Sequence, residues 1–493
     1  MLATIIAFLL PLASFAFPAL TNRTSVESQT LVRYDVLDPS HPEQLTPVVT
    51  NVTQHGFFDR AWGSLKQMTS RKLKDPFKVT IVCETENKEL CRKSKWAIES
   101  AGRRIAEILH FYNELKVEAK VRDVCGEKRN CGTLANCAPG SYIDASFGDG
   151  PKRAFPQGLM KQMNIGVSVV YAPYDIVMNI NDGTKWWTAI DGTLIGKEQY
   201  DLEDVVAHEL THGLGFTSQW YYHEMESTGT KHVIPPLDLT ESKKKESIAN
   251  GWYKTNLFVD LLFDTSSGKN LTADVRKITR KDVQGLTLDE LVDRLKEDKD
   301  VVRASMRIHD LATEKRALGI RLADRPSDSQ YKISSIPLPD GTQRPPLSLQ
   351  EAGVRNVRQA ADLLDTDADY LTELDIFSLL QQMNAILAFT DFPEFKAGSS
   401  ISHFSQIYAD TPNFLMVPTS TTGVTLDELI EKNTRGGYYP TLGVYGYELT
   451  NIMTEIGWPS VLAPKRRVAK VFDNDARRFG VGVILVFSFI LYL

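Results

Sequence analysis

Apolar and polar residues alternate through Phe77-Lys78-Val79-Thr80-Ile81-Val82, which predicts a strand. The period then changes. Over residues 94–112, Ile98, Ala101, Ile105, Ile108 and Tyr112 recur at helical spacing and predict an amphipathic helix. Alternation returns at Val117, Ala119 and Val121, as in a half-buried strand. Strand, helix and strand of these lengths predict a βαβ unit with a parallel pair. Beyond a Gly- and Cys-rich stretch reaching about residue 160, residues 167–171 and 175–180 read as two further strands. Asn181-Asp182-Gly183 closes the second, and Trp186-Trp187 and Asp191-Gly192 mark loops.

Two regions fall outside this pattern. Residues 17–75 are polar with little sustained periodicity, and read as a pro-segment or an N-terminal extension. Residues 272–385 are rich in Lys, Arg, Asp and Glu, with Leu288, Leu291 and Leu295 at helical spacing, and read as a mostly helical insertion. Within the insertion, Asp365-Thr366-Asp367-Ala368-Asp369 begins like a calcium loop. Tyr370 stands where the tight turn needs Gly, and Ile376 where the bidentate Glu belongs, so an acidic helix-connecting loop is the better reading.

Composition narrows the class. The chain has 493 residues, 42% hydrophobic and 24% charged, enough for one large elaborated domain or two smaller ones. Net charge is −6 with both signs mixed, and no basic stripe with interleaved aromatics points to nucleic acid. The Lys243-Lys244-Lys245 run is flanked by Glu241 and Glu246 and reads as a solvated face.

The ends predict a secretory route. Residues 1–16 are apolar and finish in Ser14-Phe15-Ala16, a small-x-small pattern suited to signal-peptide cleavage. Sequons at Asn22, Asn51 and Asn270 agree with a secreted glycoprotein. Residues 479–493 form an apolar tail, short for a membrane span, that reads as the anchor signal of a GPI type with Asn474 as possible attachment site, or as a direct hydrophobic anchor. The expected location is therefore extracellular, on the cell surface. All five cysteines, Cys83, Cys91, Cys125, Cys131 and Cys137, lie close together and predict two local disulfides with one thiol left over.

The candidate chemistry lies in Asp201-Leu202-Glu203-Asp204-Val205-Val206-Ala207-His208-Glu209-Leu210-Thr211-His212-Gly213-Leu214-Gly215-Phe216. Asp201 is a good N-cap, and Asp204 three residues on is placed to complete a box-like start. His208 and His212 stand four apart on one helical face, so two imidazoles reach one zinc ion. Glu209 is offset around the helix, placed to act as general base on a metal-activated water. Gly213 and Gly215 end the helix and turn the chain beneath the metal. A third protein ligand is required. His223, Glu224 and Glu226 are near in sequence, and His403 is distant; His110, His232 and His309 carry no supporting pattern.

The run from His208 to Gly215 resembles the metzincin clan of zinc peptidases, but Ser218, not a zinc ligand, occupies the last position of the short motif. The leishmanolysin-like branch places a third His after a long insertion, followed by a Met-containing turn. Gly398-Ser399-Ser400-Ile401-Ser402-His403-Phe404 and Asn413-Phe414-Leu415-Met416-Val417-Pro418 are similar to that ending, as is Ile456-Gly457-Trp458 to the close of related secreted proteins. The resemblance implies His403 as third ligand and Met416 as an apolar floor under the metal. It implies an α+β fold, a metzincin-like catalytic domain with a twisted mixed sheet and an active-site helix, carrying the helical insertion. Residues 76–271 and 386–462 would form its two parts, with 463–493 as linker and anchor signal. The implied function is zinc-dependent hydrolysis of protein or peptide substrates, with a single catalytic Zn2+. A tyrosine after the Met turn, Tyr438 or Tyr439, would be placed to assist. Residues 17–75 hold no cysteine, so latency by a pro-segment thiol is not expected. Two other classes stay open: a non-catalytic surface binding or adhesion protein that retains the fold, and a zinc hydrolase of non-peptide substrates.

Overall fold

The computed structural model describes residues 28–36, 38–40, 45–54, 71–126, 131–163, 165, 167–224, 231–241, 247–313, 318–322, 385–390, 395, 399–434 and 443–471. Strands β1 (Ser28–Val36) and β2 (Leu45–Gln54) precede β3 (Phe77–Cys83), α1 (Lys88–Ile108) and β4 (Leu115–Arg122). Then come β5 (Ala135–Pro139), β6 (Ser141–Phe147), β7 (Arg153–Pro156), α2 (Gln157–Gln162), β8 (Val167–Val169) and β9 (Ile176–Asn181). A short parallel pair, β10 (Trp186–Trp187) and β11 (Tyr200–Asp201), leads into α3 (Leu202–Gly213). The fold is α+β.

β3, α1 and β4 form the expected βαβ unit, with β3 and β4 parallel in register from Phe77↔Leu115 to Cys83↔Val121. β9 joins β4 in parallel and β5 joins β9 antiparallel, giving the order β3-β4-β9-β5 with β5 at one edge. Val117, Ala119 and Val121 are fully buried on one face of this sheet, opposite Ile98, Ala101 and Ile105 of α1. α1 begins before the predicted 94, at the cap Asn87, whose side chain accepts from Leu90 N. The disulfide Cys83–Cys91 ties the end of β3 to this first turn. The second bridge is Cys125–Cys131, and Cys137 is the buried free thiol.

The N-terminal region departs from a simple extension. β1 and β2 are interior strands of an eight-stranded sheet, running β14 (Leu237–Glu241), β2, β1, β6 at its centre. β1 pairs with β2 over its whole length, the rings of Tyr34 and Tyr253 meet edge to face at 4.5 Å, and the Tyr253 hydroxyl donates to Leu45 O at 2.8 Å. The pattern hid these strands because it is partly inverted. Val32 and Val49 face outward, while Arg33 is buried, donating to Asp35 and to Val170 O.

After β15 (Ser247–Trp252) and β16 (Leu262–Asp264), the first part of the region expected to be a helical insertion, residues 272–313, forms α4 (Thr272–Thr279), α5 (Leu288–Lys296) and α6 (Lys299–Thr313). It does not stand apart from the sheets, however. β17 (Leu318–Arg321) is the middle strand between β16 and β18 (Ala385–Leu387). The latter delivers the chain to residues 399–434, with α7 (Leu426–Thr434) at their end. α8 (Tyr447–Ile456) and β19 (Ala469–Lys470) complete the described fold. The signal and tail segments, Asn22, residues 323–384 with the 365–369 run, Lys243 to Lys245, Tyr438, Tyr439 and Asn474 lie outside the described residues. Asn270 is exposed, and Asn51 lies in β2 opposite Thr30. Among the described residues no helix is long and apolar enough to cross a membrane.

Candidate metal centre

The chemistry is built on α3. Asp201 caps it, accepting from Glu203 N at 2.9 Å with one oxygen and from Leu426 N at 2.8 Å with the other. The cap thus also fastens α7, and the expected box with Asp204 does not form. Asp204 is buried instead, its carboxyl pushed up to about 7 by burial and by the nearby Asp201 and Glu203. Val205, Val206 and Leu210 turn into the core as their spacing requires. At the other end, Gly215 has φ +111°, and a Cβ there would lie 2.8 Å from Pro156 Cγ. The indole of Trp458, from the predicted Ile456-Gly457-Trp458 ending, donates to Leu214 O at 2.9 Å and fixes the helix terminus.

Three imidazoles converge. The Nε2 atoms of His208, His212 and His403 are 3.1, 3.1 and 3.2 Å apart, although His403 is 191 residues beyond His212. Each Nδ1 faces a backbone carbonyl: Leu415 O at 2.5 Å for His208, Phe216 O at 2.7 Å for His212, and Ser399 O at 2.8 Å for His403. A carbonyl only accepts, so each Nδ1 carries the ring proton and each Nε2 presents a lone pair. Burial holds His208 down to about 4 and His403 down to about 3, and keeps His212 far below the usual range, so the rings are neutral at pH 7. Three lone pairs then point at one another with no hydrogen to share. A point equidistant from the three lies about 1.8 Å from each in their plane, so an ion just above it meets the ~2.0–2.1 Å of a zinc–imidazole bond. The donor set fits a divalent metal.

Glu209 is buried beside this point, and burial pushes its carboxyl up to about 8. It lines a cleft of about 620 Å³ together with all three histidines. The cleft also takes in Ala135, Asn136 and Cys137 of β5, and Val417 and Pro418 after the Met turn. Met416 itself is fully buried in the 3-10 turn Phe414–Met416, and its carbonyl accepts from Phe404 N at 2.8 Å. Its neighbour Leu415 holds His208, so the turn positions a ligand through its main chain.

His208, Glu209, His212 and His403 are thus brought together from the sequence-predicted set, with Gly215 and Met416 beside them. His110 lies elsewhere, its main chain bonded to Pro459 O, and His309 lies on α6 beside Asp310. Glu226 is outside the described residues, and of His223, Glu224 and His232 only the backbone in β12 (Tyr221–Glu224) and β13 (Lys231–Ile234) is described. Several contributors escaped the sequence reading. Pro39 and Ser40, from the connection between β1 and β2, line the cleft. They are held through Asn136 Nδ2 donating to Ser40 Oγ at 3.1 Å and Asn179 Nδ2 to Asp38 Oδ1 at 3.3 Å. Nothing in a polar Asp-Pro-Ser turn announces such a position.

The comparisons with known proteins add little on activity. The SPBPB7E8-like family model matches residues 60–266. The chain is similar to an uncharacterized protein, PB7E8.01, of Schizosaccharomyces pombe, 27% identical over 143 residues, covering 27% of this chain and 25% of that protein. It therefore spans about a quarter of the length of the curated relative it matches. No solved structure matches. The family match includes His208, Glu209 and His212 and ends well before His403.

Proposed function

We propose that the protein is a zinc-dependent peptidase of the metzincin type, leishmanolysin-like in its distant third ligand, acting on protein or peptide substrates outside the cell. The observation that carries this reading is the convergence of three Nε2 atoms, 3.1–3.2 Å apart with their lone pairs turned inward, beside a buried carboxyl on the same cleft. His208, His212 and His403 would hold the ion. When bound, zinc supplies Lewis acidity toward a carbonyl oxygen and lowers the pKa of a water toward ~7. Buried Glu209 would gain from that ion the counter-charge its surroundings lack.

Glu209 takes a proton from the attacking water and passes it to the leaving nitrogen as the C–N bond breaks, so one water is consumed per bond. Substrate position follows from β5. Leu134 O accepts from Asn181 N, and Gly140 N donates to Asp175 O, so even-numbered residues bond to β9. The N–H and C=O of Ala135 and Cys137 therefore point to the open edge of the sheet. An extended peptide pairing there would run along the cleft past Glu209.

Glu209→Gln tests the assignment because it keeps the shape and removes the base. The purified variant should keep its zinc and lose casein hydrolysis by 10²-fold or more. Activity within a few fold of wild type would sink Glu209 as base. A wild-type protein that binds zinc and cleaves no peptide would favour a binding protein or a hydrolase of other substrates.

A further inference from the structure

The geometry points to a strained serine junction, Ser218 with Ser402, that positions the distant ligand His403; this inference rests on the metal centre proposed above. Ser218 N donates to Ser402 Oγ at 3.1 Å, and the two hydroxyls meet at 3.2 Å. Ser218 is 2% exposed and Ser402 0%, so both bonds lie out of water, where leaving them unmade is costly. The junction joins the segment that leaves α3 to the residue immediately before His403.

Backbone strain gathers at the same place. Among the described residues, only Gln219 (φ +59°) and Ile401 (φ +71°) are non-glycine residues with positive φ. One follows Ser218 and the other precedes Ser402. Positive φ in a β-branched residue such as Ile401 is a genuine outlier, and it persists only where its surroundings over-determine it. The surroundings here do so. Ile401 N donates to Phe389 O at 2.9 Å, and Phe389 N to His403 O at 2.8 Å. On the other side, Asn256 Nδ2 reaches Thr217 O at 2.8 Å and Gln219 Oε1 at 3.1 Å.

The consequence for the metal is direct. His208 and His212 share one helix and are preset by its geometry. His403 arrives from a separate segment, so its loop must be held before binding, or ordering it subtracts from affinity. Ser218 is therefore not merely a lost ligand position. It is a positioning residue acting through Ser402.

The test is zinc affinity of the full chain, stripped and retitrated against a chromophoric chelator, for wild type, Ser402→Ala, Ser218→Ala and the double variant. Ser402→Ala removes both bonds and should raise the dissociation constant about tenfold. Ser218→Ala keeps its own N–H donor to Ser402 and should cost less, and the double variant should cost no more than Ser402→Ala. Cobalt(II) spectra of the Ser402 variant should show altered d–d bands, which a loss of stability alone would not produce. Unchanged zinc affinity and spectra in both single variants, with only a lower melting temperature of the metal-free protein, would overturn the positioning role. His208→Ala and His403→Ala are the separating controls. If they bind zinc like wild type, the metal centre itself falls, and the junction's role with it.

Discussion

Replacing Gly215 by Ala perturbs the turn that leaves α3, and its effect can be worked from two contacts. At φ +111° an L side chain is strained, at a cost of about 1–3 kcal/mol. The added Cβ would also stand 2.8 Å from Pro156 Cγ, against the ~3.5–4.0 Å of an ordinary carbon contact. Overpacking of that kind costs about 1–3 kcal/mol. Urea unfolding under chelating conditions, so that no metal masks the effect, should therefore show a loss of about 2–6 kcal/mol. Pro156→Ala separates the two causes: it removes Cγ, so in that background the loss from Gly215→Ala should fall to the backbone part, about 1–3 kcal/mol. Function should follow, because the next residue, Phe216, supplies the carbonyl that holds His212 at 2.7 Å. A Gly215→Ala protein within about 0.5 kcal/mol of wild type would refute the reasoning, as would an unchanged loss in the Pro156→Ala background.

Further outcomes follow from other parts of the molecule. Burial raises the carboxyl of Asp264, but hydrogen bonds from Ser266, Ser267 and Arg307 outweigh it and hold the group down to about 2. Its folded pKa is depressed, so its contribution, about 1–2 kcal/mol after solvent screening, is present above pH ~4 and lost as pH falls toward ~2. Asp264→Asn should flatten that part of a stability–pH curve measured by urea midpoint, and an unchanged slope would contradict the assignment. Adding zinc at about 1,000 times its dissociation constant should stabilise the wild type by about 4 kcal/mol over the chelated protein, and His403→Ala hardly at all. Burial, then the nearby Glu209, keeps the Cys137 thiol well above the usual thiol range. A thiol reagent at pH 8 should leave the native protein unmodified and find one thiol in denaturant; fast native labelling would contradict its burial.

Legibility in the sequence tracked how local each constraint is. The βαβ unit and α3 were readable because their apolar spacing reports directly on burial, as at Ile98, Ala101 and Ile105. His208, Glu209 and His212 were readable because one helix sets their relation. β1 was not, since burying Arg33 and exposing Val32 runs against the expected alternation, and one of its two partners, β6, lies more than a hundred residues along the chain. β17 was lost among charged helices because a four-residue strand between two others carries too little pattern of its own. Ser218 could be read only as a residue that does not bind zinc; its bond to Ser402 joins positions 184 residues apart.

The central claim is that one metal ion sits among His208, His212 and His403. Anomalous diffraction collected above and below the zinc edge, from crystals of protein purified without chelator, tests it most directly. The account predicts a single zinc peak about 2.0–2.1 Å from each of the three Nε2 atoms. Rings that stay converged in chelator-free, zinc-supplemented crystals with no peak between them, or a zinc peak bound by other residues, would contradict it.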